Sequence, residues 1–283
     1  QWVSAWMEAT GLGRVLVAGG VFMNVKASKM ICELPMLESF AAFPSCGDES
    51  LPFGACYLAA AADELTPKPL VHAYLGPDLG MEECRAAVAD IGDRVEVEQP
   101  EQMADRVAQL LAAGEIVARA AGPMEFGARA LGSRSILADP INQDVVRVIN
   151  RMIKKRDFWM PFAPVVRRRD AAAYFRNPKD LPSPYMMNTF DSTEKRSDFM
   201  AAVHNADLTA RPQLLEDGQN PGYEAILERF AARTGRHVLL NTSFNLHGEP
   251  VVCGAADAVR VLLTSGLRHL ILGHLLVSKR GAP

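Results

Sequence analysis

The sequence predicts an α/β fold built on a twisted mixed sheet. Three observations carry that expectation. Short apolar strand segments at 14–18, 115–120, 237–240 and 269–277 alternate with segments of helical period at 54–62, 81–91, 100–113, 223–234 and 255–263. Two of the strands run directly into glycine-rich stretches, the position where α/β proteins place ligands. With 283 residues, 49% of them hydrophobic and 22% charged, the chain is long enough to bury a large core in one or two domains.

In chain order, Arg14-Val15-Leu16-Val17-Ala18 is a short buried strand ending in Gly19-Gly20, and the small-residue segment 54–62 is a helix suited to close packing. About sixty residues do not complete an open α/β domain. Residues 1–64 therefore read as the last piece of a larger unit, and the start at Gln1 as that of a fragment or a processed product. Pro67 and Pro69 make 65–72 a linker, since proline disfavours regular structure. In the next unit, the helix at 100–113 carries Met103, Val107, Leu110 and Leu111 on one side. Asp139-Pro140 reads as an N-cap followed by a first-turn proline, opening a helix to about residue 155. Its apolar face is Ile141, Val145, Ile149 and Ile153. Residues 176–222 are rich in Pro, Asn, Asp and Ser with little periodicity, as in a functional loop or lid. The chain then closes with helix, strand, polar loop, helix and strand.

Composition excludes several classes. A net charge of −3 gives no global positive field for nucleic acid, and the runs Lys154-Lys155-Arg156 and Arg167-Arg168-Arg169 read first as solvated faces. No apolar run reaches membrane length, and no signal peptide is visible. Five cysteines without a CxxC pair point to reduced thiols in a cytoplasm-like compartment. The histidines show no HxxxH or HExxH spacing.

Four strings could carry chemistry. In Gly122-Pro123-Met124-Glu125-Phe126-Gly127-Ala128-Arg129-Ala130-Leu131-Gly132-Ser133-Arg134-Ser135, glycines and arginines recur at intervals of five. Five helical steps rotate by about 140°, so these residues do not share one helical face. The stretch reads as a loop offering guanidinium and backbone N–H groups to an anion, or as a structural turn with surface ion pairs. In Asn241-Thr242-Ser243-Phe244-Asn245-Leu246-His247-Gly248, a strand ends in hydroxyl and amide groups able to bind phosphate or a planar amide, or simply to form a turn. Lys154 and Arg156 stand near a helix end, where they answer the helix dipole or reach a polyphosphate. His204, Asp207, Thr209 and Arg211 bring an imidazole, a carboxylate and a guanidinium into one loop. Weaker signals are Gly19, Gly20 and Asn24 after the first strand, and the lone carboxylate Asp48.

Together these strings resemble the carbamoyltransferases of the NodU/CmcH type, from about Gly19 to the C-terminus. Residues 243–248 are also similar to the Ser-Ala-Asn-x-Ser-Gly signature of YrdC-like proteins. The resemblance implies a C-terminal fragment of an actin-like ATPase-fold domain at 1–64, a linker at 65–72 and a complete YrdC-like domain at 73–283. It implies an ATP-dependent O-carbamoyltransferase in which the YrdC-like part makes carbamoyl-adenylate from carbamoyl phosphate and ATP. A hydroxyl of a small molecule or glycan would be the acceptor. By motif match it gives catalytic, phosphate-clamping roles to Arg129, Lys154 and Arg211, with Ser243 beside them. Nucleotide or carbamoyl contacts fall to Arg134, Ser135, Arg156, Asn241, Asn245, His204 and Thr209. Gly19, Gly20 and Asn24 match a nucleotide loop in the actin-like part, and Asp48 a metal ligand there. ATP with Mg2+ is implied, together with a divalent metal such as iron in the actin-like part; a homodimer is compatible. The chain departs from the pattern at Pro123, Ala128 and Met160, where the family usually carries Arg, Pro and Arg. The first actin-like lobe, with its histidine ligands, is not in this sequence, so transfer to an acceptor is not expected of this chain alone. An inactive nucleotide-binding or scaffolding domain and an RNA-binding module of tRNA modification remain alternatives. The main reading requires that the arginine-bearing and amide-bearing strings close on one cleft.

Overall fold

The computed structural model of the chain describes residues 1–89, 91–154 and 161–281. In chain order the elements are α1 (Trp2–Thr10), β1 (Arg14–Val17), α2 (Val25–Cys32), β2 (Ser39–Ala42), α3 (Leu51–Ala62), α4 (Met81–Ala89), β3 (Val95–Glu98), α5 (Met103–Ala112), β4 (Val117–Ala120), β5 (Arg134–Ala138), α6 (Asp144–Ile149), β6 (Ala163–Arg167), β7 (Phe175–Arg176), β8 (Phe190–Ser192), β9 (Thr209–Ala210), β10 (Gln213–Leu215), α7 (Pro221–Thr234), β11 (Val238–Ser243), α8 (Ala255–Thr264), β12 (His269–Leu272) and β13 (Leu275–Lys279).

The fold is α/β. Eight strands form one mixed sheet in the order β10-β6-β11-β5-β4-β12-β13-β3. Only β10–β6 and β12–β4 pair in parallel; the other neighbours are antiparallel. One face packs on α4, α6 and α8 through Cys84, Ile149, Ala258 and Leu262. The other packs on α5 and α7 through Val107, Leu111, Ile226 and Phe230. With helices on both faces, β4, β5 and β6 are buried along their whole length. A smaller antiparallel sheet, β7-β8-β9, is held by Tyr174, Phe175, Phe190 and Phe199.

Ahead of residues 65–72, β1 and β2 pair in parallel with Arg14 opposite Ser39. Their core of Met7, Val17, Ile31, Leu37 and Phe40 includes Leu181 from far along the chain. Lys179 also donates to the carbonyl of Leu34. Residues 65–72 are irregular, as their prolines require.

Several expectations change. The first strand is not buried throughout: of its four residues only Val17 is buried. The small-residue helix α3 buries none of its residues. Asp139 caps a turn rather than a helix: its carboxylate accepts from the Ile141 N–H at 3.1 Å, and it pairs with Arg236. Helix α6 begins at Asp144, whose N–H is held by Asn142 at 2.9 Å. Residues 269–277 form a hairpin rather than one strand, reversing at Gly273, where φ is 58°. Inside 176–222 lie most of the small sheet and β10. Strand β11 runs through Asn241-Thr242-Ser243, so these polar residues are strand rather than loop.

All five cysteines are free. Burial pushes the Cys32 thiol up to about 12, whereas Cys56 and Cys253 are exposed. Only the thiolate attacks, so iodoacetamide at neutral pH is expected to label Cys56 and Cys253 and to spare Cys32 until denaturant is added. Peptide mass mapping of the alkylated chain checks this. Among the described residues no helix is long and apolar enough to cross a membrane.

Candidate active site

The arginine-bearing loop is organised from inside by a carboxylate. Glu125 is buried, and its Oε1 accepts from the backbone N–H groups of Leu131, Ser133 and Arg134 at 2.6, 3.1 and 3.2 Å. These donors are therefore turned inward, where the sequence reading had them offered to an external anion. Gly132 sits at φ 116°, and a Cβ there would lie 2.2 Å from the Tyr223 ring. Gly132→Ala combines backbone strain with overpacking. It is expected to destabilise the protein by about 2–4 kcal/mol, read as a lower denaturant midpoint.

The two loop arginines take different roles. Arg134 is fully buried and donates to the carbonyls of Cys253, Gly122, Ser133 and Pro77 at 3.1, 2.9, 3.1 and 3.2 Å. It ties the segment before α4, the loop and the segment before α8 together and is not among the residues lining the cleft that holds Ser243. Burial lowers its pKa and Glu125 opposes this, but the guanidinium stays charged. Ser135 is equally internal, its Oγ accepting from the Gly132 N–H at 3.0 Å. Both side chains are engaged in holding the loop.

Arg129 faces the other way. It lines a cleft of about 90 Å³ with Phe162, Arg211, Asn241 and Ser243. The two distant strings thus meet as the sequence reading required. Strand β11 places them: it lies between β5 and β6, and Asn241 Nδ2 donates to the Ala130 carbonyl at 2.9 Å, fastening the strand to the loop. Asn241 Oδ1 is buried without a hydrogen-bond partner among the described residues. A buried orphan acceptor is costly unless a ligand donor fills it. Ser243 Oγ donates to Asn245 Oδ1 at 2.7 Å, and Asn245 Nδ2 is held by the carbonyls of Leu246 and Glu249 at 2.9 and 2.7 Å. Asn245 therefore orients Ser243 and does not itself line the cleft.

A second cavity of about 160 Å³ shares Pro161, Phe162 and Arg211 with the first and adds Lys26, His204 and Thr209. Lys26 comes from α2, far earlier in the chain. It pairs with Asp207 and bonds Thr209 Oγ1. Thr209 Oγ1 donates to Asp207 Oδ1 at 2.8 Å, and His204 Nδ1 lies 3.2 Å from the same oxygen. Partial burial opposes it, but the bonds from Lys26 and Thr209 hold the Asp207 carboxyl well below the usual carboxylate range. Thr209 is thereby a positioning group. Sequence reasoning missed Lys26, whose only signal is its place two residues after Asn24, and it quoted Glu125 without giving it a role.

The remaining sequence candidates lie elsewhere. Asn24 is the N-cap of α2, accepting from the N–H groups of Lys26 and Ala27 at 3.1 and 3.2 Å, so its amide oxygen serves the helix. Gly19 and Gly20 are exposed and line neither cavity. Asp48 is exposed, and among the described residues no three His, Cys, Asp or Glu side chains converge. The side chain of Lys154, and Arg156 as a whole, lie outside the described residues.

Comparison with known proteins places the cleft in a family. The model for the Carbamoyltransferase C-terminus matches residues 108–279, which contain Arg129, Arg211, Asn241 and Ser243. Nodulation protein NolNO of Sinorhizobium fredii is 35% identical over 97% of this chain and 41% of its own length. Nodulation protein NolO of Bradyrhizobium diazoefficiens is 33% identical over 97% of this chain and 51% of its own. The 3'-hydroxymethylcephem-O-carbamoyltransferase of Amycolatopsis lactamdurans is 36% identical over 60% of this chain and 32% of its own. The chain thus spans about two fifths to one half of the two nodulation proteins. Among solved structures, full-length HypF in a phosphate- and nucleotide-bound form superimposes with a TM-score of 0.43 and 17% identity, over 62% of this chain and 25% of that one.

Proposed function

This chain belongs to the carbamoyltransferase family, and from that premise we propose that it is the carbamoyl-activating portion of an ATP-dependent O-carbamoyltransferase. The observation that supports the reading is the cleft shared by Arg129, Arg211, Asn241 and Ser243. Carbamoyl phosphate and water give carbamate and phosphate. A carbamate oxygen then attacks the α-phosphorus of ATP, the bond to the bridging oxygen breaks, and pyrophosphate leaves. Negative charge concentrates on the α-phosphate and the departing pyrophosphate, and Arg129 and Arg211 stand where fixed cations stabilise it. Asn241 Oδ1 accepts from the carbamoyl NH₂, and Ser243 Oγ, whose hydrogen is committed to Asn245, offers its lone pairs to the same NH₂ group. On volume, the cleft takes the one-carbon group and a phosphate, while the rest of the nucleotide extends beyond it. Mg2+ in this scheme would arrive bound to the triphosphate and offset part of its negative charge. The carbamoyl group then passes to a hydroxyl of a small molecule or glycan in the complete protein.

The test is exchange of labelled pyrophosphate into ATP. Exchange that requires carbamoyl phosphate supports the reading. Tight ATP binding without exchange, in a longer form of the protein as well, selects the inactive nucleotide-binding alternative.

A further inference from the structure

A cavity of about 510 Å³ lies apart from this chemistry, and its lining shares no residue with the cleft or its neighbour. It opens where the parallel strands β4 and β12 end, between the flank of α5 and the start of α7. Its size is that of a small-molecule pocket. One wall is apolar, with Met103, Ile226 and Ile271. Opposite stands a linked polar floor: Arg119 Nη2 donates to Asn220 Oδ1 at 3.3 Å, and Asn220 Nδ2 to Ser133 Oγ at 3.3 Å.

Arg119 is the unusual member. It is 5% exposed on a strand otherwise made of Val and Ala, with its guanidinium carbon 5.9 Å from the Tyr223 ring centroid. Its hydrogen-bond partners are neutral: the Ala121 and Gly132 carbonyls at 3.0 and 2.6 Å, and Asn220. Buried arginine is ordinarily paired with a carboxylate. The carboxylate nearest in effect, Glu125, is already engaged by three backbone N–H groups. A Cβ at Gly222 would lie 3.0 Å from Arg119 Nη2, so the glycine in the first turn of α7 leaves the guanidinium its place at the cavity wall. The cation thus borders an open, partly apolar space and lacks an ion-pair partner among the described residues.

We propose that this cavity is a second ligand site, taking a small organic anion. Its carboxylate or phosphate head meets Arg119, Asn220 and Ser133, and its apolar body lies against Met103, Ile226 and Ile271. The site adjoins the loop that carries Arg129, since Gly122 and Ser133 line it as well.

Calorimetric titration of the whole chain with phenyl phosphate and, separately, with benzoate tests this. Saturable one-to-one binding of at least one probe is expected. Arg119→Met and Ala104→Phe, which fills the cavity from the half-buried side of α5, should each weaken it by about tenfold or more. Arg129→Ala should leave it unchanged. Stronger binding of phenyl phosphate assigns a phosphate head, and stronger binding of benzoate a carboxylate. If Arg119→Met does not fold, Ala104→Phe decides. No saturable binding of either probe at millimolar concentration overturns the proposal. So does wild-type affinity in Ala104→Phe, or binding abolished by Arg129→Ala, which would place the probe in the cleft.

Discussion

Replacing Arg129 by alanine is expected to lower carbamoyl-phosphate-dependent exchange of pyrophosphate into ATP by on the order of 10²–10³-fold, the usual loss when one preorganised charge-stabilising group is removed. The effect should appear mainly in the rate at saturating ATP, because the charge Arg129 answers grows as pyrophosphate departs. Arg129→Lys keeps the charge and loses the planar fork, so it should recover only part of the rate. Ser243→Ala, in the same cleft, should instead raise the carbamoyl phosphate requirement, since the proposed reading gives Ser243 the one-carbon group rather than the triphosphate. By contrast, Arg134→Ala should lose activity together with stability, because its guanidinium holds four carbonyls. Parallel exchange assays and denaturation curves separate the two arginines. Equal exchange by wild type and Arg129→Ala would remove the basis for the proposed clamp.

Glu125→Ala is expected to destabilise the protein by on the order of 3–5 kcal/mol, because three buried N–H donors lose their acceptor and each orphaned donor costs about 1–3 kcal/mol, partly relieved by relaxation. The loop carries Arg129, so exchange should be lost as well. Glu125→Gln keeps an oxygen acceptor of the same reach but removes the negative charge near Arg119 and Arg134. Its cost should be smaller, about 1–2 kcal/mol, and the difference between the two variants measures charge against geometry. A Glu125→Ala midpoint equal to that of wild type would mean that the carboxylate does not build the loop.

Much of the framework was readable from residue order. Apolar periodicity located α5, α7 and α8 to within a few residues, since each buries one stripe against the sheet. Several strands escaped that reading, and β3, β5 and β6 show why. In β3, Val95-Glu96-Val97-Glu98 is too short and polar to stand out. In β5, Arg134 and Ser135 look like loop residues, yet the strand is buried throughout because those side chains serve the Glu125 loop from within. In β6, Pro164 argues against a central strand, and β6 nevertheless lies between β10 and β11.

The residues of the cleft were also legible as types: cations in one glycine-rich string, amides and hydroxyls at the end of a strand. Their identities limit what the cleft can bind, because guanidinium groups favour anions and an amide oxygen favours N–H donors wherever they stand. Residue order could not decide which arginine lines the cleft. Arg129 and Arg134 lie five apart in like surroundings, but Arg134 is claimed by carbonyls of Pro77 and Cys253, more than fifty and one hundred positions away. Only the packed chain settles that choice, since a buried charge is directed by whichever dipoles folding brings against it.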